Sequence, residues 1–363
     1  MSALGYAAHF ASSYQQARAK FLAAAAARGA MLEMHVLPGL RGAEREELAL
    51  DVGRLGPATA SSLLVLTSAT HGVEGFCGSG AQVALLHDDG VVEAIEEGGS
   101  AVLFVHAMNP YGFSRLRRVN EDNVDLNRNF RDFGAPAPVN AGYGELHELL
   151  LPASWPPPAA SEARLGAWIA GRGEKAMQSA MTAGQYSHPD GLFFGGTQPT
   201  WSNRTLRDVL RRHTGAARRI GWIDVHTGLG PSGHGEKIFA ARDDVATLAR
   251  ARAWWGPEVT SFYDGSSTSA ALTGVMFNAF HDECPDAEFT GIALEFGTVP
   301  LPEVLMALRA EGWLHGHPDT PDRSATAIRR RMRDTFYVDT DAWKEQVGRQ
   351  ARDAMLRALE GLR

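Results

Sequence analysis

Only two cysteines, Cys77 and Cys284, occur in 363 residues. That is too few for a disulfide framework, so a buried core has to hold the fold, and a reducing compartment suits it. Positive charge is also short, with 35 Lys and Arg against 42 Asp and Glu. Without a basic field, neither nucleic acid nor an anionic membrane is an expected partner. The run Arg329-Arg330-Arg331 is a local exception and reads as a solvated helix face. No apolar run approaches the roughly 20 residues that a membrane-spanning helix needs. The first eleven residues carry no Lys or Arg, and Gln15, Gln16, Arg18 and Lys20 break the apolar stretch that follows. A secretory signal looks different, so a cytoplasmic protein is expected. Two common α/β chemistries are missing as well, because neither a Gly-x-Ser-x-Gly nucleophile turn nor a phosphate-binding Gly-x4-Gly-Lys loop occurs.

What is present is a set of short apolar runs. Leu63-Leu64-Val65-Leu66, Ala101 to Val105, Ile220 to Val225 and Gly291 to Leu294 each have the length and continuity of a strand buried on both faces. Helical stretches alternate with them. Tyr14 to Ala27 follows the possible caps Ser12 and Ser13, Gln82 to His87 follows a glycine-rich turn, and Asp341 to Leu362 closes the chain. The expected fold is therefore α/β, a mixed, largely parallel central sheet with helices on both faces, in a single domain over residues 1–363. Residues 134–200 differ in texture. Pro136, Pro138, Pro152 and Pro156-Pro157-Pro158 punctuate a helical segment near Ser161 to Ala183, and we read the stretch as an insertion over one edge of the sheet.

Three of the four apolar runs end on ionisable residues: His71 with Glu74, His226, and Glu295. In open α/β sheets the carboxyl ends of strands share one crevice, so these residues aim at a common site. His71-Gly-Val-Glu74 alone is weak, since 13 histidines would produce roughly one such pair by chance. Each histidine alone is also more readily an ordinary hydrogen-bonded one. Together His71, Glu74 and His226 form a two-His, one-Glu set that leaves a coordination position open for water, the pattern of catalytic zinc, and Asp224 stands where it could orient His226. An unpaired Glu295 at a buried strand end would be costly, which calls for a salt bridge or a function. His234, His281, His315 and His317 sit at no clear strand end.

Arg118-Val-Asn-Glu-Asp-Asn-Val-Asp-Leu-Asn127-Arg128-Asn-Phe130, preceded by Asn109-Pro110-Tyr111-Gly112, resembles the zinc metallocarboxypeptidase family. Members of that family carry an Asn-Pro-x-Gly turn and an Asp-Leu-Asn-Arg-Asn-Phe run between the first two metal ligands and the third. The resemblance runs in order through His71, Glu74, Arg118, Asn127, Arg128, His226 and Glu295. It implies one Zn2+ per chain on His71, Glu74 and His226, and Glu295 as the base that takes a proton from the attacking water. It further implies that Asn127 and Arg128 clamp a substrate carboxylate and that Arg118, with Arg117 as its rival, stabilises the oxyanion. Tyr263 would stand for a family tyrosine near the substrate. Gly195-Gly196-Thr197 and Trp201-Ser202-Asn203 read equally as a pocket wall or a turn.

The resemblance is imperfect at Gly72-Val73-Glu74-Gly75-Phe76, where digestive carboxypeptidases have a bulkier basic turn, and in the long stretch between Arg128 and His226. The small turn is closer to the branches that hydrolyse N-acyl amino acids or cell-wall peptides, and the pattern as a whole resembles a little-characterised bacterial branch of the family. The expected reaction is hydrolysis of an amide next to a free carboxylate, in a small peptide or an N-acyl amino acid. The alternatives are an amidohydrolase of the aspartoacylase or succinylglutamate desuccinylase kind and a non-catalytic zinc- or carboxylate-binding protein.

Overall fold

All four apolar runs are strands, and four more lie around them. In the computed structural model, which describes residues 5–363, the strands are β1 (Met31–Arg41), β2 (Glu47–Leu55), β3 (Ser62–Thr67), β4 (Ala101–His106), β5 (Arg219–Gly228), β6 (Gly235–Phe239), β7 (Thr260–Ser261) and β8 (Glu288–Gly297). They form one sheet in the order β1-β2-β4-β3-β5-β8-β6-β7. The central pairings β4-β3, β3-β5 and β5-β8 are parallel, as is β6-β7 at one edge, while β1-β2, β2-β4 and β8-β6 are antiparallel. The sheet is thus mixed and mostly parallel, and β3 and β4 are buried along their whole length.

Side chains alternate across a strand, so β5 serves two layers at once. Gly221 and Val225 face the helices Gly75–His87, Val245–Trp255 and Asp341–Gly361, where a Cβ on Gly221 would meet Leu64, Trp254 and Leu362. On the other face Trp222 packs edge-on against Phe277 and Phe289 and donates its indole N–H to Thr67 Oγ1 at 2.9 Å. Asp224 and His226 lie on this second face too. Register sets Glu295 of β8 directly opposite His226 of β5, so the two share a face. No helix among the described residues is long and apolar enough to cross a membrane.

Two local expectations change. Gly75, Gly78 and Gly80 lie inside the helix Gly75–His87 and not in a turn. Their role is close packing: a Cβ at these positions would come within 2.5 Å of Phe113, 2.7 Å of Ser68 and 2.3 Å of Phe10. The helical segment expected across 161–183 is split into Ala159–Arg172 and Glu174–Thr182 by Gly173, whose φ of 92° no helix accommodates.

Apolar side chains gather in two clusters. The large one surrounds the sheet. The smaller joins the helices Ala141–Leu150, Ala159–Arg172 and Glu174–Thr182 to Leu301–His315 and Asp322–Phe336, through residues such as Leu146, Met181, Phe193, Leu308 and Phe336. Val73, one residue before Glu74, belongs to this second cluster. Residues 134–200 are therefore tied to the C-terminal third of the chain, and the two together meet the carboxyl ends of the central strands.

Candidate metal centre

The first turn of the site follows β3. His71 leads into a 3-10 turn, Gly72–Glu74, which is pinned by backbone bonds from Gly72 N to Arg118 O at 3.0 Å and from Val73 N to Arg117 O at 2.8 Å. Only glycine fits at position 72, because a Cβ there would sit 2.1 Å from the Gly112 carbonyl carbon. The short helix Pro110–Arg115, capped by Asn109, supplies that wall.

Glu74 lies between the two imidazoles. His71 Nδ1 is 2.9 Å from its Oε1 and His226 Nδ1 is 3.0 Å from its Oε2. All three residues are buried, and they offer ligand atoms within 4.8 Å of one another. The outer nitrogens are tied down as well. His226 Nε2 is 2.6 Å from Asp224 Oδ2, and His71 Nε2 is 3.2 Å from Asp125 Oδ1. Asp224 is itself held by hydroxyl donors from Thr67 at 2.7 Å and Thr70 at 2.9 Å. For His226 the carboxylate on the far nitrogen selects the tautomer whose Nδ1 lone pair is free for a metal, whereas His71 Nε2 is shared between Asp125 and Arg118 Nη2, the latter at 2.8 Å. The donor set therefore fits a divalent ion of the zinc type: two Nδ1 atoms and a carboxylate, all facing inward.

Nothing in the sequence pairs Asp125 with His71. It lies in the run that ends at Phe130, and only the fold brings it to His71. Burial alone would raise its pKa, but Arg118, His71 and Arg128 hold it well below the ordinary range. Burial likewise opposes the charge of Glu74, and the two histidines overcome it and hold the carboxylate ionised. His226 is driven well above its usual pKa by Asp224 and Glu74 in spite of its burial.

Four further expected residues line one cavity with these three: Arg118, Asn127, Arg128 and Glu295. Glu295 accepts from Leu229 N at 2.9 Å, and burial, followed by the charge of Glu74, lifts its pKa to about 7. Arg118 reaches Asp125 Oδ2 at 3.0 Å and Glu74 Oε1 at 3.3 Å, beside the metal ligands. Its rival Arg117 turns the other way into a buried pair with Glu311 and a bond to Asn123 at 3.0 Å, so it is neither exposed nor near the cavity.

Arg128 is buried, with Nε and Nη2 donating to Thr182 O at 2.9 and 2.6 Å and Nη1 donating to Asn127 O at 2.8 Å. These bonds leave one N–H on each terminal nitrogen. The backbone beside it is crowded: Gly274, at φ +69°, would place a Cβ 2.2 Å from the Arg128 carbonyl oxygen. Asn127 Oδ1 accepts from Met276 N at 2.9 Å. Phe193 lies under both guanidinium groups, with its ring centre 4.9 Å from Arg118 and 5.6 Å from Arg128.

Tyr263 is not brought to the cavity. It is 44% exposed, and its hydroxyl donates to Ala241 O at 2.8 Å; its neighbour Phe262 lines the cavity instead. His234, His281, His315 and His317 do not line the cavity either. Gly195 and Gly196 pack on Arg128 and Asn129 from behind. The rest of the lining is largely apolar, including Met181, Ile238, Leu305, Leu308 and Phe336.

A family model described as "Protein of unknown function (DUF2817)" matches residues 10–350, and the chain belongs to that family. No curated protein matches by sequence. Among solved structures, the chain is similar to carboxypeptidase A from Helicoverpa armigera, at 13% identity over 89% of this chain and 73% of that one, with a TM-score of 0.46. It is similar to a metallo-carboxypeptidase from Burkholderia cenocepacia at 13% identity, 95% and 68% coverage and a TM-score of 0.46. An aspartoacylase family protein from Mesorhizobium loti matches at 15% identity, 74% and 61% coverage and a TM-score of 0.36. Likeness this distant carries no functional weight, which rests with the residues of the site.

Proposed function

We propose that this DUF2817 chain is a zinc-dependent hydrolase that cleaves an amide bond beside a free carboxylate. The observation that carries the reading is the convergence of His71 Nδ1, His226 Nδ1 and both Glu74 oxygens on the floor of a cavity that Arg118, Arg128 and Glu295 also line. His71, Glu74 and His226 would hold the ion, which when bound supplies Lewis acidity to a water and to the scissile carbonyl.

The chain's own residues do the rest. Arg128, charged and with one N–H left on each terminal nitrogen, pairs with the substrate carboxylate, and Asn127 adds a polar contact beside it. That anchor fixes which amide lies over the floor. Glu295, opposite His226, takes a proton from the attacking water and returns it to the leaving nitrogen; a pKa lifted toward neutrality suits both halves of that exchange. Arg118 supplies positive charge where the carbonyl oxygen becomes an oxyanion. A small peptide and an N-acyl amino acid share the carboxylate and the amide, so the two readings part only on the acyl side.

Purified protein loaded with zinc and assayed against short peptides and N-acyl amino acids tests this directly. About one zinc per chain and turnover of at least one class are expected. Glu295→Gln should keep the zinc and lose about 10²- to 10⁴-fold in kcat. Zinc retention with no hydrolysis across the panel, and only ligand affinity altered by Glu295→Gln, would leave a binding protein in its place.

A further inference from the structure

We infer that Phe193 is a positioning residue, whose ring holds the guanidinium groups of Arg118 and Arg128 at one spacing and so keeps the oxyanion donor and the carboxylate anchor in step. The role rests on the hydrolase reading; the arrangement of the three side chains does not. The ring centre is 4.9 Å from Cζ of Arg118 and 5.6 Å from Cζ of Arg128, both inside the roughly 6 Å over which a ring face attracts a cation. Arg128 needs the contact more. Its nitrogens donate to the carbonyls of Thr182 and Asn127, and the carboxylate of Asp125 is 3.9 Å away. Burial works against its charge, and so does Arg118. A ring face favours that charge without occupying an N–H, which leaves the free N–H groups for a substrate carboxylate.

The backbone points the same way. Phe193 has a φ of +53°, the left-handed region where a bulky side chain is rare and glycine is ordinary. Gly191, Gly195 and Gly196 stand in the same run, yet the strained position carries a buried aromatic ring. Bonds on both sides hold the chain there. Leu192 N donates to Tyr143 Oη at 2.6 Å, Gln185 N donates to Phe193 O at 3.2 Å, and Asp125 N donates to Phe194 O at 2.8 Å. Asp125 also accepts from Arg118 Nε at 3.0 Å, so the backbone that aims the ring and the carboxylate that holds Arg118 meet in one residue. Strain kept up in this way clusters at sites that need a fixed geometry.

Pentafluorophenylalanine keeps the outline of the ring and reverses the charge of its face, so it separates attraction from packing. In a crystal structure of the full chain carrying it at position 193, both guanidinium groups should leave the ring and lie beyond about 6 Å from its centre. That measurement needs no turnover. In the zinc-loaded chain the same replacement should raise KM, because Arg128 is loosened, and lower kcat, because Arg118 is, for a loss of about 10-fold in kcat/KM. Zinc content and melting temperature should not change, as they would if the ring served packing alone. Phe193→Leu, which keeps an apolar side chain without a ring face, should lose catalysis to a similar extent. Guanidinium groups that stay on the fluorinated ring overturn the proposal, and so does an unchanged kcat/KM in a chain that hydrolyses. Displaced groups in a protein that turns over no substrate uphold the arrangement and fault the hydrolase reading instead.

Discussion

The floor and the roof of the cavity are built on opposite terms. The floor is polar and tied to the sheet: His71, His226 and Glu295 stand at the ends of β3, β5 and β8, and a carboxylate holds each imidazole from behind. The roof is apolar and tied to helices, with Met181, Leu305 and Leu308 held by packing in the smaller cluster. Directional bonds fix atoms to tenths of an ångström, which ligation demands. Packing fixes a shape, which is what a substrate's apolar part reads. Chemistry and selectivity should thus be separable by mutation.

The sharpest test is on the floor. His71→Ala removes one of three ligands and should empty the site, read as zinc content falling from about one per chain to near zero; stoichiometric zinc in that variant would break the assignment. Next comes the proton. Glu295 serves as a base only when ionised, so kcat/KM should fall as pH drops through its pKa. Burial and Glu74 set that pKa at about 7 in the absence of a cation, and a bound cation offsets Glu74 and lowers it. The acid limb is therefore expected above the ordinary 4.5 and no higher than about 7, and an activity that does not vary from pH 4 to 8 would dismiss Glu295 as the base.

A smaller effect is expected one bond further out. Asp224→Asn keeps the shape but loosens the hold on His226, and zinc affinity by competition with a chelator should weaken by about 10- to 100-fold. The smallest belongs to the roof. Leu308→Ala should leave zinc content and the acid limb unchanged while altering KM for bulky substrates by several-fold, at a cost of roughly 2–5 kcal/mol in stability. If it released zinc instead, the division between floor and roof would be false.

The same division explains what could be read from the chain beforehand. β3, β4, β5 and β8 declare themselves because a strand buried on both faces is a continuous apolar run, and for β3, β5 and β8 the ionisable site residue lies within a few positions of the end of that run. β1 and β2 are not continuous in this sense, and β6 and β7 are too short to stand out. Arg117 and Arg118 are neighbours of one residue type, and only the surrounding fold sends one to Glu311 and the other to the metal ligands. Asp125 acts on a residue 54 positions away, and Tyr263 misses the cavity while Phe262 reaches it. The roof was the least legible part, since Leu146, Met181 and Leu308 become neighbours only when two distant stretches of chain meet.

Val73 sits with its side chain in the apolar roof cluster while the next residue, Glu74, is a candidate ligand. A 3-10 turn bonded to the Arg117 and Arg118 carbonyls holds both, and the Phe336 carbonyl, from the same cluster, accepts the hydroxyl of Thr227 beside His226. An ion held by Glu74 would therefore also brace this turn and the part of the roof that packs on Val73. Filling the centre should slow amide hydrogen exchange across 141–182 and 322–336, which supply no ligand themselves, and chelation should quicken it. The ion would then set how firmly the substrate chamber holds its shape, as well as how the amide is cut.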